Sequence, residues 1–453
     1  MNPSERGHFA SKLGIVLATA GSAVGLGNIW RFPFMTGQDG GAAFILIYIG
    51  FVLVLGIPGM VAEFIVGRSS ATNAARAYSE LTGHKAWSLV GVMGMLTSII
   101  ILGFYAVIAG WCLQYLYASA DGQLVGDSTY VQHYFTAFST DPWRPTLLGL
   151  TFILITHAII SRGVRNGIER AARMLMPTLF LLLIAIVVAS CMLPNAFSGI
   201  HFLFKPDFSK ITKDVFLDAL GQAFFSLSLG TACLCTYASY FKRDINLFRS
   251  ASQIALLDTL VAVLAGLMIF PAAFSVGIRP DSGPSLIFIT LPNVFNQAFA
   301  AMPLIGYVIA LMFYALLALA ALTSTISMHE ISTAFFHEEL HIRRRWAASI
   351  VTVAAGIICV FSSLSVGAGR QLTCCGMPLM DFFDFLTAQI LLPTGAFLTC
   401  IYVGWFAKRE MVHNEYTNYH TLRSPLFPLW LFFIRVVCPV CIASIFLHQF
   451  GVI

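Results

Sequence analysis

The chain reads as long apolar runs separated by short polar joins. A helix needs about 20 apolar residues to cross a bilayer. Eleven stretches reach or approach that length: 10–35, 42–67, 87–118, 145–161, 171–193, 213–240, 251–278, 304–336, 346–366, 382–406 and 426–449. The joins carry the orientation. With the N-terminus placed inside, the inner segments hold 18 Lys and Arg and the outer segments 7, a bias that points to a cytoplasmic N-terminus. An odd number of spans then puts the C-terminus outside. Segment 284–302 is too short and too interrupted by Pro to span, and reads as an outer lid that folds back. Residues 408–424 read as a cytoplasmic loop.

Two of these runs are interrupted in a way that ordinary membrane helices avoid. The first contains Gly21-Ser-Ala-Val-Gly25-Leu-Gly27-Asn28-Ile-Trp-Arg31-Phe-Pro33, where three glycines weaken the helix and a polar and a charged residue follow. The sixth contains Gly221-Gln222-Ala-Phe-Phe225-Ser226-Leu-Ser228-Leu-Gly230-Thr231. Backbone that leaves the helix at membrane depth must be buried in protein or line a wet cavity. Such a break offers carbonyls to a cation and N–H groups to an anion. Five spans separate the two breaks, so the second half enters the membrane from the opposite side. That is the pattern of inverted repeats whose broken helices meet at the midplane.

Composition agrees. The chain has 453 residues, 58% hydrophobic and 10% charged, with mean hydropathy +0.82; soluble domains carry roughly 25% charged residues. The net charge of +5 sits in short loops and is no nucleic-acid signal. No cleavable signal peptide is expected, because no small-residue cleavage site follows the first run. Most of the ten cysteines lie in apolar runs, where they serve as small hydrophobes. Cys438-Pro-Val-Cys441 has redox spacing but no soluble redox fold around it.

Five ordered motifs give these features a family context: the Gly21–Pro33 stretch; Glu63-x-x-x-Gly67-Arg68; Gln222-x-Phe-Phe-Ser-Leu-Ser-Leu-Gly230; Thr236-Tyr-Ala-Ser-Tyr240; and Ala321-Leu-Thr-Ser324. From about Arg6 to the end of the tenth span the sequence resembles the neurotransmitter:sodium symporter family, in its eleven-span bacterial amino acid branch. The resemblance implies an all-α polytopic membrane protein forming one transporter domain over 1–453, with inverted repeats at 10–200 and 212–407 and a last helix at 425–450. It implies symport of an amino acid with two sodium ions by alternating access, in a multi-pass protein of the bacterial inner membrane.

The resemblance also assigns residues. The first sodium site takes the Ala23 carbonyl, Asn28, Ser226 and Asp258. An ionisable residue inside a span is a functional candidate in its own right. The Asp258 carboxylate supplies the negative charge that chloride provides in animal members, so transport is expected to be chloride-independent. Tyr48, Gln222 and Ser226 match the chloride-site positions. The second sodium site takes the carbonyls of Gly21, Val24 and Ala320 and the hydroxyls of Thr323 and Ser324.

Gly25 stands where the monoamine branch has Asp, which leaves room for a ligand bringing its own carboxylate. That carboxylate would meet the Leu26 and Gly27 N–H groups and the Tyr105 hydroxyl. The ammonium would face Ala23, Phe225, Ser226 and Ser228, with Gly230 in the same break. The side chain would lie among Ile101, Tyr105, Phe225, Thr231, Ser324 and Met328. A small Thr231 and a flexible Met328 suit an apolar or aromatic side chain.

Arg31 with Asp381, or more weakly Asp384, forms the expected outer gate. Arg6 with Glu338, supported by Tyr240, forms the inner one. Gly167 and Pro177, with nine residues between them, match the place where the fifth span unwinds in the family. Two rival readings remain at this stage. His337-Glu338-Glu-Leu-His341 matches the zinc-protease pattern of two histidines on one helical face, though no third zinc ligand is evident. A sensor of the same fold would bind the amino acid without moving it.

Overall fold

The computed structural model describes residues 9, 11–278, 286–367, 372–423 and 425–449. Arg6 therefore lies outside the described residues. The first span is α1 (Lys12–Ala23), a wide π-helical turn (Gly27–Arg31) and α2 (Phe32–Gln38). Then come α3 (Ala42–Ser70), a short α4 (Ala74–Thr82) and α5 (Lys85–Ala120). A helix α6 (Ser128–Ser139) leads into α7 (Arg144–Ile160), followed by α8 (Val164–Cys191) and a short α9 (Ala196–Phe204). The sixth span is α10 (Lys213–Ser226) and α11 (Cys233–Ala238), followed by α12 (Leu247–Ser275). A π turn (Leu286–Thr290) and α13 (Leu291–Ala298) precede the long α14 (Pro303–Glu339) and α15 (Arg344–Val366). A two-stranded hairpin, β1 (Thr373–Cys374) and β2 (Met377–Pro378), feeds α16 (Leu379–Phe406); α17 (Arg409–Tyr416) and α18 (Phe427–His448) complete the chain.

Among the described residues, eight helices are long and apolar enough to cross a membrane on their own, and ten spans result if two bent pairs count as one each. The remaining expected run, 213–240, is divided into helices of 14 and 6 residues, each too short by itself. The interruptions fall inside the two motifs. α1 ends where Val24 turns extended (ψ 108°), and the chain bends by 55° before it resumes. Between α10 and α11, Ser228, Gly230 and Ala232 all adopt positive φ (54°, 82° and 63°).

The long helix α14 packs along α5 and touches α1, and α1 also lies against α8 and α12. The broken first span is thus enclosed by unbroken ones. Residues 286–298 are not a loose cover. Leu286, Ile287 and Phe288 are fully buried, and Phe288 packs its ring against Trp111, Tyr115 and Phe135.

Charged groups tie one end of the helices together. Arg68, at the end of α3, is buried and donates through Nε to Glu415 Oε2 at 2.5 Å, through Nη1 to Ile245 O at 2.5 Å and through Nη2 to Glu415 O at 2.7 Å. This joins α3, α17 and the segment before α12. Removing one partner of a buried ion pair leaves a charge with no compensation, at a cost of about 3–5 kcal/mol. Arg68→Met is therefore expected to lower the thermal midpoint markedly, far more than Arg409→Met at an exposed site; scanning the detergent-solubilised variants checks this.

Candidate substrate and ion site

The two breaks satisfy each other's backbone. Asn28 Oδ1 accepts the Gly25 N–H at 3.0 Å, and the Leu26 N–H goes to the Tyr105 hydroxyl at 3.2 Å. Ser228 Oγ donates to Ser22 O at 3.1 Å, reaching from the second break to the first. Thr323 Oγ1 on α14 donates to Val24 O at 3.2 Å and to Ala320 O at 2.9 Å. Thr231 Oγ1 accepts the Cys233 N–H at 3.0 Å, and Glu63 Oε1 on α3 accepts the Gly230 N–H at 2.7 Å. Exposed amides in an apolar medium are costly; side chains supply what the helix would have given.

A cavity of about 670 Å³ lies between the breaks, within the usual size range of a small-molecule site. It is lined by Ala23, Gly25, Leu26, Gly27, Ile101, Tyr105, Phe225, Ser226, Ser228, Thr231, Ser324 and Met328. Every expected substrate residue is on this wall except Gly230. That glycine faces away: a Cβ there would sit 2.1 Å from Leu392 O, and its N–H is held by Glu63. Its part is in the backbone, where its φ of 82° lets the chain turn. Gly25 borders the cavity at a tight spot: a Cβ there would come within 2.4 Å of Ser324 Oγ and 3.4 Å of Tyr105 OH.

The first ion-site group converges on Asp258. This carboxylate is fully buried and accepts from Asn28 Nδ2 at 2.7 Å, Ser226 Oγ at 2.8 Å and Tyr48 OH at 3.0 Å. All three donors are neutral, and Asp258 forms no ion pair among the described residues. Gln222, fully buried on the same helix as Ser226, makes no side-chain hydrogen bond. At the second group, Thr323 joins Val24 and Ala320, and lies against Gly21, whose Cβ would be 3.5 Å from Thr323 Cβ. Ser324 lies instead on the cavity wall beside Gly25. Successive positions of a helix point about 100° apart, so Thr323 and Ser324 look in different directions.

The charge pair expected of Arg31 and Asp381 is not formed among the described residues. Arg31, Asp381 and Asp384 all line the cavity, but Arg31 forms no ion pair within 4.0 Å among the described residues. Its guanidinium lies over the Phe225 ring, 4.5 Å from the centroid. The carboxylates that act on it are Asp384 and Asp218, not Asp381. Asp381 lies almost one turn nearer the start of α16.

The inner groups also differ from expectation. Tyr240 gives its hydroxyl to Glu330 Oε1 at 2.7 Å, not to Glu338. Glu330 is fully buried and ion-paired with Arg344, whose Nη1 reaches Oε1 at 3.0 Å. Glu338, two turns further along α14, accepts from Asn73 N at 2.7 Å.

Gly167 and Pro177 lie in a wound segment: a π turn over Val164–Glu169 runs into an α-helix that contains Pro177. The zinc pattern fails geometrically. α14 ends at Glu339, and His341 follows with φ 54°, so the two histidines do not share a helical face. His337 Nδ1 donates to Ile342 O at 2.6 Å. Among the described residues no group of three or more His, Cys, Asp or Glu is placed to hold a metal.

Sequence reasoning missed the upper wall: Trp30, Phe34, Phe104, Ile108, Trp111, Ile287 and Phe288. Phe34, Phe104, Ile108 and Trp111 have the spacing of ordinary packing, and Trp30, Ile287 and Phe288 lie in stretches read for other reasons. It also missed the use of Glu63, which its motif marked without explaining. Glu63→Ala leaves the Gly230 N–H without its acceptor, an expected loss of about 1–3 kcal/mol, whereas Glu63→Gln keeps one; thermal midpoints of the two variants test the difference.

Apolar spans around two broken helices, with a wide cavity and buried oxygen groups between them, define a membrane transporter. The chain belongs to the sodium:neurotransmitter symporter family, whose sequence pattern matches residues 6–141 and 143–452. It is 38% identical over 450 residues to YhdH of Bacillus subtilis (strain 168), described as an uncharacterised sodium-dependent transporter, covering 98% of both chains. A sodium-dependent transporter of Haemophilus influenzae, also described as uncharacterised, is 33% identical over 466 residues, covering 99% of each. The crystal structure of MhsT in complex with L-phenylalanine matches with a TM-score of 0.88 at 39% identity, over 98% of this chain and 99% of that one.

Proposed function

We propose that the protein carries an apolar or aromatic amino acid into the cell together with two sodium ions, independently of chloride, by alternating access. The observation that carries this reading is the pairing of Gly25 with Asp258. Gly25 puts no side chain of its own on the cavity wall beside the Leu26 N–H, the Tyr105 hydroxyl and Ser324, so the anion there is left to the ligand's carboxylate. The buried Asp258 lacks a cationic partner, and a bare carboxylate in a low-dielectric site is costly. A sodium ion at Asn28, Ser226 and Ala23 supplies the missing charge and touches the substrate carboxylate; the second ion sits at Gly21, Val24, Ala320 and Thr323. The amino acid bound in the structural neighbour MhsT is of the chemical class that this pocket suits.

The architecture proposed with it has eleven spans in two inverted repeats, the N-terminus inside and the C-terminus outside. In this orientation the cavity, which reaches Arg31 and Asp381, opens to the outer side. Two ions entering down about 100 mV supply about 4.6 kcal/mol, enough for a substrate gradient of about three decades. Uptake of radiolabelled L-phenylalanine into proteoliposomes tests the proposal. Uptake is expected only with an inward sodium gradient, unchanged when gluconate replaces chloride, and competed best by large apolar amino acids. Uptake that ignores sodium would sink it.

A further inference from the structure

We propose that Cys374 and Cys375 form a reversible dithiol–disulfide site on the hairpin that feeds the cavity mouth. The hairpin pairs Thr373 with Pro378 and Cys374 with Met377. Its two-residue turn, Cys375-Gly376, has positive φ at both positions (52° and 79°), as the tight hairpin turn requires. Asn or Gly usually fills the first of these positions; here a cysteine does, next to another cysteine. The two sulfurs are 4.0 Å apart. A disulfide needs about 2 Å, and closing that gap between adjacent residues takes side-chain rotation together with a shift of the backbone at the turn.

Access sets Cys375 apart from the other thiols. It is exposed, whereas Cys374, Cys191 and Cys441 are half-buried and Cys112, Cys233, Cys235, Cys359, Cys400 and Cys438 are buried; of the half-buried three, Cys374 alone has an exposed cysteine beside it. The hairpin is also tied to the site. The Leu379 N–H goes to Leu372 O at 3.1 Å, and the Met380 N–H to Ser365 Oγ at 3.2 Å. Pro378, Met380, Asp381 and Asp384 then line the cavity. A ring closed at the turn restrains the root of the helix that carries the outer-gate carboxylates. This placement at an outer mouth rests on the orientation proposed above.

The oxidant is a small disulfide of the outer compartment, RSSR. The exposed Cys375 thiolate attacks one of its sulfurs, forming a mixed disulfide and releasing one RS⁻. The Cys374 thiolate then attacks Cys375 Sγ and releases the second RS⁻. Two protein thiols lose two electrons and two protons, and RSSR becomes two RSH. Adjacent residues are only about 3.8 Å apart at Cα, less than disulfide-bonded residues usually are. Strained bonds of this kind are readily reduced, so the site is reversible.

The test treats the purified full-length protein with oxidised glutathione and reads the peptide containing 372–378 by mass. The wild-type peptide is expected to lose two hydrogens, carry no glutathione and revert with dithiothreitol, while Cys374→Ser and Cys375→Ser each retain one glutathione. A wild-type peptide that keeps stable glutathione, or stays reduced under conditions that modify the single variants, overturns the site. In proteoliposomes, oxidation is expected to slow sodium-dependent L-phenylalanine uptake at least twofold in the wild type and not in the double serine variant. Unchanged uptake with the ring present overturns the link to the mouth. The mass readout needs no transport, so the dithiol site stands or falls by it even if the protein proves not to carry L-phenylalanine.

Discussion

Asp258→Asn is expected to lower sodium-dependent uptake in chloride-free medium by about a hundredfold, the upper end of ordinary coupling between two binding sites. The side chain keeps its shape and its place against Asn28, Ser226 and Tyr48, so the fold should survive, and an unchanged thermal midpoint checks that. What goes is the negative charge. Sodium then enters a site with neutral oxygens alone, and in a low-dielectric interior a lone cation is expensive. Added chloride is expected to restore much of the uptake. Tyr48, Ser226 and the Gln222 amide, which has no other hydrogen bond, can receive an anion in the place of the carboxylate. A variant that transports normally without chloride would remove Asp258 from the ion site.

Gly25→Asp is the second large effect. A Cβ here points at Ser324 Oγ and Tyr105 OH, 2.4 and 3.4 Å away, so the new carboxylate occupies the place proposed for the substrate's own. Like charges at that distance exclude each other, and L-phenylalanine binding is expected to fall by at least about a hundredfold, or about 2.7 kcal/mol. The decisive measurement is binding of phenethylamine, which lacks the carboxylate. It is expected to bind the variant better than L-phenylalanine does, a reversal that misfolding cannot produce.

The sequence carried the interruptions clearly because the physics of lipid is strict. Glycines and polar residues inside an apolar run have few explanations, and the breaks lie at Val24–Leu26 and Leu227–Ala232, inside the two motifs. Asp258 was legible for the same reason. The gates were not, because charge pairing depends on which of several carboxylates a helix turns toward. Tyr240 finds Glu330, eight residues before the Glu338 that the resemblance named. Arg31 rests on Phe225, a partner with no charge to announce it. The upper aromatic wall was invisible, since Trp111 and Phe288 look like packing until the cavity between them is seen. The fifth span shows a limit of another kind: Gly167 and Pro177 describe what a segment can do, and the single conformation here has it wound.

Wide π turns sit on both sides of the cavity mouth, at Gly27–Arg31 and at Phe385–Leu391. Such a turn holds one residue more than its neighbours, and the surplus can slip along the helix from turn to turn. Each step swivels the side chains of the turn it passes by about 100° while nearly all amide bonds persist. Arg31 and the side chains around Thr387 can thereby change partners by a screw motion, without the helices that bear them having to melt.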